Sequence, residues 1–265
     1  MAKPARVLSI AGSDSGGGAG VQADIKTLSA LNCYAMTAVT AITVQDTTGV
    51  HGIHPIPLDI ISEQIRCVLG DIGADAVKIG MLGGDSIVAA VSEALEGYDS
   101  LPLVLDTVMF AKGGAALLDA GGVAALKTQL LPRADLVTPN APEAAVLTGV
   151  RVETRDDLVQ AGQGLIALGA EAALVKGGHL DGAMVSDVLV TADNVHLFEA
   201  QRMDSRSTHG TGCTLASACA AGMAQGMELF DAVARAHRYV QDAIRTAPGF
   251  GAGDGPLNHM HNLNR

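Results

Sequence analysis

The chain has 265 residues, of which 48% are hydrophobic, with a formal net charge of −11 and a mean hydropathy of +0.30. This length can bury a sizeable core in one domain, and the acidic balance argues against a nucleic-acid partner, which would need a basic surface. The four cysteines have no zinc or disulfide spacing, and we predict that His259 and His261 lie at the surface. Residues 1–4 form no apolar signal core and no apolar run reaches membrane-spanning length, which predicts a cytoplasmic protein without a membrane partner.

Short apolar runs alternate with helical patterns along almost the whole chain. We predict strands at residues 6–11, 36–44, 76–79, 103–105, 136–138, 172–175 and 185–190. We predict helices at residues 20–31, 58–69, 86–95, 123–130, 142–147, 154–168, 211–224 and 229–246. Because strands that alternate with helices form βαβ units, we expect one α/β domain over residues 1–265. It should contain a mostly parallel sheet with helices on both faces.

The segment 208–214 reads Thr-His-Gly-Thr-Gly-Cys-Thr and opens a predicted helix. Gly210, Thr211 and Gly212 can present bare backbone N–H groups at the positive end of that helix, which is an anion-binding arrangement. Cys213 falls in the first turn, where the pKa of a thiol is expected to be lowered. A phosphate cradle beside a base favours phosphoryl transfer. The alternative interpretation is a glycine-rich turn from strand to helix with a buried cysteine.

The first strand is followed by a glycine-rich turn at residues 12–20 and then by a helix that carries Asp24. The spacing fits neither the dinucleotide fingerprint nor a P-loop. Ligands of a parallel sheet bind at the carboxyl ends of its strands, so this turn can form a wall for a small substrate, with Asp24 holding a hydroxyl. The alternative is a tight turn with Asp24 on a solvated helix face.

Gln45 ends the long second strand, and its amide offers an acceptor beside two donors. This pair suits an aminopyrimidine edge, where a ring nitrogen adjoins an amine. The alternative is a glutamine that faces water at the end of a strand. Met81 follows the third strand and, on composition alone, is more typical of a core than of a pocket.

Acidic residues follow two further strands. Asp106 comes after one, and Asn140 with Glu143 after the other, and magnesium prefers such oxygen ligands together with substrate phosphates. Glu143 could equally serve as a favourable helix start. Lys176 follows a buried strand in a chain with few lysines, which indicates a phosphate contact, an exposed edge lysine being the alternative.

Six collinear segments resemble the bacterial hydroxymethylpyrimidine and phosphomethylpyrimidine kinases of thiamine synthesis. They are residues 12–24, 78–82, 105–109, 138–143, 176–179 and 208–214. The resemblance extends from about residue 7 to residue 215, and the chain departs from the pattern with three glycines at 16–18, where the family has Ser-Gly-Gly. It implies a ribokinase-like fold, ATP with magnesium as cofactors and a homodimer.

The same resemblance implies roles for individual residues. Gln45 would pair with the aminopyrimidine, in a pocket lined by Gly12, Asp24, Met81 and Val108. Asp106, Glu143 and Asn140 would organise magnesium, and Lys176 would meet the ATP phosphates. Residues 210–213 would hold the transferred group, with Cys213 where the wider superfamily has an aspartate base.

The sequence therefore predicts a kinase that phosphorylates 4-amino-5-hydroxymethyl-2-methylpyrimidine and then its monophosphate. Two alternatives stay open. One is a pyridoxal kinase of the same subgroup, which Gln45 disfavours because pyridoxal lacks the pair of ring nitrogen and amine. The other is a nucleotide- or vitamin-sensing binding protein without turnover. The presence of the proposed base, lysine and acids argues against this alternative.

Overall fold

A computed structural model of the chain describes residues 3–112, 114 and 116–263. The strands of this part are β1 (Ala5–Ser13), β2 (Cys33–Asp46), β3 (Gly49–Pro55), β4 (Ala76–Ile79), β5 (Leu103–Leu105), β6 (Leu136–Val137), β7 (Ala172–Val175), β8 (Met184–Thr191) and β9 (Val195–Gln201). The α-helices are α1 (Gly20–Ala30), α2 (Leu58–Asp71), α3 (Asp85–Ala94), α4 (Ala120–Ala125), α5 (Ala141–Thr148), α6 (Arg155–Ala167), α7 (Thr211–Ala224) and α8 (Leu229–Arg245).

All nine strands join one sheet in the order β3-β2-β1-β4-β5-β6-β7-β8-β9. The pairs from β2 to β7 are parallel, whereas β3 pairs antiparallel with β2, and β8 and β9 add two antiparallel strands at the other edge. The mostly parallel sheet is confirmed. The single-domain assignment stays a prediction.

Alternating side chains of each strand supply two separate cores, one on each face of the sheet. On one face Leu8 and Ile10 pack with residues of α2 to α6, and on the other Val7 packs with residues of α1, α7 and α8. Helices therefore cover both faces, as predicted. Within the described residues, no helix is long and apolar enough to cross a membrane.

The predicted elements differ from the structure in three places. Strands β3 and β9 were not predicted, because β3 contains two glycines and two histidines and both strands are largely exposed. The helix predicted at 123–130 begins three residues earlier, at Ala120, and changes type, since α4 ends at Ala125 and a π-helix continues over Leu126–Leu130. Asp119 begins α4 by accepting a hydrogen bond of 2.7 Å from the Gly122 N–H.

The fold brings the carboxyl ends of several strands to one edge. The parallel strands β1, β4, β5, β6 and β7 all end there, and α7 packs across β1, β4 and β5. The start of α7 and the residues that follow these strands consequently lie together, where ligands of open α/β sheets bind.

Candidate active site

The backbone at the start of α7 has a conformation that requires glycine at position 210. Gly210 precedes the helix with a φ of +83°, and a Cβ atom there would overlap the Gly18 carbonyl oxygen. Thr211 donates its hydroxyl to the Thr208 carbonyl at 2.5 Å. The Thr211 N–H donates to the Thr208 carbonyl at 3.4 Å, whereas the next N–H groups, like those in the first turn of any helix, have no intrahelical partner and lie at the positive end of α7.

Lys176 and Asp106 meet at this helix start. Lys176 Nζ lies 3.2 Å from Asp106 Oδ1, and a Cβ on Gly212 would lie 3.0 Å from the same ammonium. Burial opposes the charge of Lys176, but Asp106 and Glu143 outweigh it and raise the pKa of the lysine. The structure therefore brings a charged lysine against the backbone of the predicted anion site.

Asp106 has one carboxylate oxygen engaged and one without a protein partner. Thr138 donates its hydroxyl to Oδ1 at 3.2 Å, whereas Oδ2 is buried and makes no hydrogen bond within the described part of the chain. A buried, unpartnered carboxylate oxygen is costly unless a ligand completes it. The chemistry of this oxygen fits a hard cation such as magnesium.

Glu143 is a helix start, as one interpretation of the sequence allowed, and its predicted role in holding magnesium stays a prediction. It begins α5 in a capping box, where the Glu143 N–H donates to Asn140 Oδ1 at 2.9 Å and the Asn140 N–H donates to Glu143 Oε2 at 3.0 Å. The same carboxylate accepts a hydrogen bond of 3.1 Å from the Thr107 hydroxyl. Burial raises the pKa of Glu143, and the charge of Asp106 reinforces this shift while that of Lys176 opposes it.

Cys213 lies in the first turn of α7, as predicted, but its acidity differs from the expectation. Burial raises the pKa of the thiol to about 12, although the positive charge of Lys78 opposes this and Asp106 and Asp24 reinforce it. The expectation of a lowered pKa is wrong because desolvation of the thiolate outweighs the helix end and the lysine. The raised pKa favours the thiol form of Cys213 at neutral pH.

Gln45 stands beside the start of α7, half-buried at the end of β2. Its Nε2 lies 3.4 Å from His209 Nε2, and its Oε1 lies 3.2 Å from the Thr43 hydroxyl. His209 directly precedes Gly210, so Gln45 adjoins the anion site. The contact of Gln45 with a pyrimidine stays a prediction.

The other residues predicted to line the pocket lie at the same edge of the sheet. A Cβ on Gly12 would lie 2.6 Å from Met81 Sδ, so Met81 packs directly on the glycine that ends the buried part of β1. Val108 is half-buried, and its N–H donates to the Asp106 carbonyl at 2.9 Å. Their contacts with substrate also stay predictions.

Asp24 lies in a saturated ionic cluster. Its two carboxylate oxygens lie 3.1 and 3.0 Å from Lys78 Nζ, and they also accept hydrogen bonds of 2.6 Å from Ser9 and 2.7 Å from Ser217. The residue is fully buried, so the interpretation of a solvated helix face is wrong. Protein groups occupy both oxygens, and a contact with a substrate hydroxyl stays a prediction.

The pairing of Asp14 with His209 was not predicted from the sequence. Asp14 accepts hydrogen bonds from the N–H groups of Gly16, Gly18 and Ala19 at 2.8, 3.0 and 2.8 Å, which fixes the glycine-rich turn. His209 Nε2 lies 2.8 Å from Asp14 Oδ2, which ties the turn to the start of α7. An aspartate inside a glycine turn is a signal for such capping, but its histidine partner is 195 residues away.

The prediction that both tail histidines lie at the surface is wrong for His259. This residue is 3% exposed, and its Nε2 lies 3.0 Å from the Thr214 hydroxyl in the first turns of α7. Burial lowers the pKa of His259 to about 4, so it packs as a neutral ring. The tail therefore supports the helix that carries the site.

Known proteins match this chain over most of its length. A sequence model of the family described as phosphomethylpyrimidine kinase matches residues 14–258. The chain belongs to the phosphomethylpyrimidine kinase family. A hydroxymethylpyrimidine/phosphomethylpyrimidine kinase of Streptomyces coelicolor is 47% identical to it, and the match covers 97% of this chain and 94% of that protein. The enzyme of the same name from Escherichia coli is 42% identical, and the match covers 98% of each. It spans only 52% of a thiamine biosynthesis bifunctional protein of Geobacter sulfurreducens, to which it is 47% identical over 96% of its own length.

Solved structures of the family share the fold. A phosphomethylpyrimidine kinase of Clostridium difficile has a TM-score of 0.81 at 40% identity, covering 91% of this chain and 99% of that one. A pyridoxal kinase of Staphylococcus aureus in complex with pyridoxal has a TM-score of 0.91 at 35% identity. The match covers 100% of this chain and 96% of that one. This confirms the ribokinase-like fold and the assignment as a kinase of an ATP-using family, in which Staphylococcus aureus pyridoxal kinase has been solved with ADP and with AMP-PCP.

Proposed function

We propose that this phosphomethylpyrimidine kinase transfers the γ-phosphoryl group of ATP to the hydroxymethyl group of 4-amino-5-hydroxymethyl-2-methylpyrimidine, and then phosphorylates the monophosphate to the diphosphate. These steps belong to thiamine biosynthesis. The observation that carries the proposal is the meeting of Lys176 and Asp106 with the bare start of α7, beside a glutamine amide suited to an aminopyrimidine.

Phosphoryl transfer needs positioning and charge neutralisation more than covalent chemistry. The N–H groups at the start of α7 would hold the transferred group, and Lys176 would neutralise charge that develops on its oxygens. Asp106 and Glu143 would hold magnesium, with Asn140 beside them, because no described residue pairs with the buried Asp106 Oδ2. When bound, magnesium supplies further positive charge to the phosphates.

The two acceptors differ in their need for a base. The hydroxymethyl group must lose a proton as it attacks, and Cys213 is the side chain proposed to take it. A phosphate monoester has a second pKa of about 6, so it is mostly dianionic at neutral pH and needs no base. The raised pKa of the thiol, about 12, makes it a strong proton acceptor once ionised, but it keeps the thiolate fraction low at neutral pH.

The test of the substrate is an ATP-coupled assay of the purified chain on hydroxymethylpyrimidine and on pyridoxal. The same assay on Gln45→Met sharpens it, since the substitution leaves the polar groups of a bound pyrimidine unpaired, at a cost of about 1–3 kcal/mol. We expect pyrimidine affinity to fall about ten- to hundredfold, while pyridoxal binding falls less or improves. Equal losses for both substrates would remove Gln45 from the pocket.

Pyridoxal kinase activity is the second candidate function. The observation in its favour is the TM-score of 0.91 to the Staphylococcus aureus pyridoxal kinase. Pyridoxal also carries a hydroxymethyl group on an aromatic ring, so the phosphate end of the site suits both substrates. A higher kcat/KM for pyridoxal than for hydroxymethylpyrimidine would make this the main activity.

We also propose a homodimer, supported by the exposed apolar side chains of Ile42 and Val44 on β2. Sedimentation velocity at micromolar concentration should then give twice the chain mass of 26.9 kDa. A monomer mass at that concentration would contradict the proposal. A cytoplasmic location and the lack of a nucleic-acid partner stay predictions from composition.

A further inference from the structure

A buried aspartate lies beside the turn that follows Lys176, and the proposed mechanism does not use it. Asp187 lies on β8 and is 8% exposed. Its Oδ1 accepts a hydrogen bond of 3.0 Å from the Gly177 N–H, whereas His237 Nε2 lies 3.9 Å from Oδ2, beyond hydrogen-bond range. Burial of a carboxyl group costs free energy, and here the group is engaged by the backbone next to the lysine of the candidate active site.

The peptide group that joins Lys176 to Gly177 is held at both ends. Its carbonyl oxygen accepts from the Ala141 N–H at 3.1 Å, and its N–H donates to Asp187. On the other side of the same residue, the Lys176 N–H donates to the Pro139 carbonyl at 2.9 Å. The backbone of Lys176 is therefore fixed between the start of α5 and β8, and Asp187 supplies the contact on the side of β8.

The Asp187 side chain provides an acceptor where the sheet no longer does. The ladder between β7 and β8 ends with the pair of Val175 and Val188. Just beyond it, Gly177 is buried directly against β8, since a Cβ there would lie 2.1 Å from the Ser186 carbonyl oxygen. A buried backbone N–H without an acceptor is costly, so loss of the Asp187 carboxyl would destabilise this placement of the turn.

We propose that Asp187 is a positioning residue for phosphoryl transfer, which fixes the backbone of Lys176 so that its ammonium lies at the start of α7. The inference rests on the proposed contact of Lys176 with the ATP phosphates. Lys176 Nζ lies 3.2 Å from Asp106 Oδ1, and a Cβ on Gly212 would lie 3.0 Å from the same nitrogen, so a small shift of the backbone changes this close approach. Because the lysine stem is flexible, the ammonium can follow in part, and we expect a partial loss of turnover.

This role requires an oxygen that accepts a hydrogen bond, not a negative charge. Burial raises the pKa of Asp187, while His237, the Gly177 N–H and Lys176 oppose the shift. Asp187→Asn keeps an oxygen for Gly177, whereas Asp187→Ala removes it. If Asp187 acted on Lys176 through its charge alone, asparagine would be as harmful as alanine.

Hydrogen exchange of the Gly177 amide tests the contact itself. We expect this amide to be protected in the wild-type chain and in Asp187→Asn, and to exchange at least about tenfold faster in Asp187→Ala. Equal exchange in all three proteins would overturn the inference.

Steady-state kinetics test the consequence for the reaction. We expect Asp187→Ala to lower kcat about ten- to hundredfold with little change in KM for the acceptor, and Asp187→Asn to restore most of the loss. Asp135→Ala is the matched control, because Asp135 Oδ2 accepts from the Leu103 N–H at 2.7 Å where β5 begins, at the opposite edge of the sheet. It should retain kcat even if it lowers stability. Equal kcat losses in the asparagine and alanine variants, or an equal loss in the control, would contradict the positioning role.

A double variant separates this inference from the function on which it rests. In the Lys176→Gln background, Asp187→Ala should cause little further loss of kcat, because the ammonium that it positions is absent. If Lys176→Gln keeps near-normal turnover, the phosphate contact of the proposed function fails, and the inference fails with it. If Lys176→Gln loses turnover while Asp187→Ala keeps full kcat, or if the two losses multiply, Asp187 has no positioning role and the proposed function stands.

Discussion

Two buried lysine–aspartate pairs lie close to the start of α7, and they differ in how completely their charges are satisfied. In the pair of Lys78 with Asp24, both side chains are 0% exposed, and the carboxylate also accepts from Ser9 and Ser217. In the pair of Lys176 with Asp106, one carboxylate oxygen has no partner among the described residues, and the lysine is 13% exposed.

The difference indicates separate roles for two pairs of the same chemistry. The Lys78 pair joins β4, α1 and α7, and protein groups engage both carboxylate oxygens, so it holds these elements together. A contact of Asp24 with substrate stays a prediction. The Lys176 pair lies against Gly212 and keeps an oxygen that is unpartnered within the described part of the chain, which is the feature that the proposed phosphate and magnesium site would use. A buried ion pair is therefore evidence for a functional site only where its partners are left incomplete.

The largest expected effect comes from removing the charge of the incomplete pair. Lys176→Gln keeps a donor for Asp106 but loses the positive charge that would meet the phosphates. We expect kcat to fall about 10³-fold or more, in the range of other cations that stabilise phosphoryl transfer, while KM for the pyrimidine changes little. Steady-state kinetics on both acceptors would measure this, and near-normal turnover would exclude a phosphate contact for Lys176.

Cys213→Ala should separate the two chemical steps. We expect the first phosphorylation to slow about 10²–10⁴-fold, the usual contribution of a general base, and the second to slow much less. Cys213→Asp should recover part of the first step. Single-turnover rates at saturating ATP and magnesium measure both. Equal slowing by alanine would mean that Cys213 shapes the anion site and does not take the proton.

The raised pKa of Cys213 adds a pH test in the wild-type chain. Because the thiol titrates at about 12, its reactive thiolate form increases about tenfold per pH unit between pH 7 and 9. The first phosphorylation should accelerate accordingly in that window, and the second should not. A first step that is independent of pH there would contradict a thiolate base.

Gly212→Ala gives the smallest expected effect. The new Cβ would lie 3.0 Å from Lys176 Nζ, so the ammonium must shift by a few tenths of an ångström. We expect kcat to fall about tenfold with little change in thermal stability, since small displacements of catalytic groups are costly. Gly70→Ala is the matched control, because a Cβ there meets nothing within 4 Å. Full activity of Gly212→Ala would show that catalysis does not need the close approach of Lys176 Nζ to the backbone of residue 212.

Local patterns predicted most of the fold. The strands at Ala76–Ile79, Leu103–Leu105 and Ala172–Val175 were predicted to the residue, because short apolar runs between turns mark buried parallel strands. The exposed strands β3 and β9 carry no such signal. Their pairing depends on the neighbouring strand, not on their own composition.

The positions of site residues that directly follow strands could be predicted from the sequence. Burial and pKa values that depend on long-range packing could not. Asp106, Glu143, Lys176 and the start of α7 were predicted to converge, and they do. The partner of Asp24 is 54 residues away in sequence, so its burial could not be inferred from its helix. The pKa of Cys213 was predicted in the wrong direction because helix position is local, whereas desolvation depends on the whole fold.

The most direct test of the different roles of the two ion pairs is the same substitution at Lys78 and at Lys176. The free energy of unfolding and kcat are measured for each variant. Lys78→Gln leaves Asp24 without its cation, and loss of one partner from such a pair costs about 3–5 kcal/mol. Asp24→Asn in the same chain should recover part of that loss. We expect Lys78→Gln to lower stability by this amount and to keep kcat within about tenfold of wild type, whereas Lys176→Gln should lose turnover and remain comparatively stable. The reverse pattern, with turnover lost at Lys78 and stability lost at Lys176, would contradict the assignment of the two pairs.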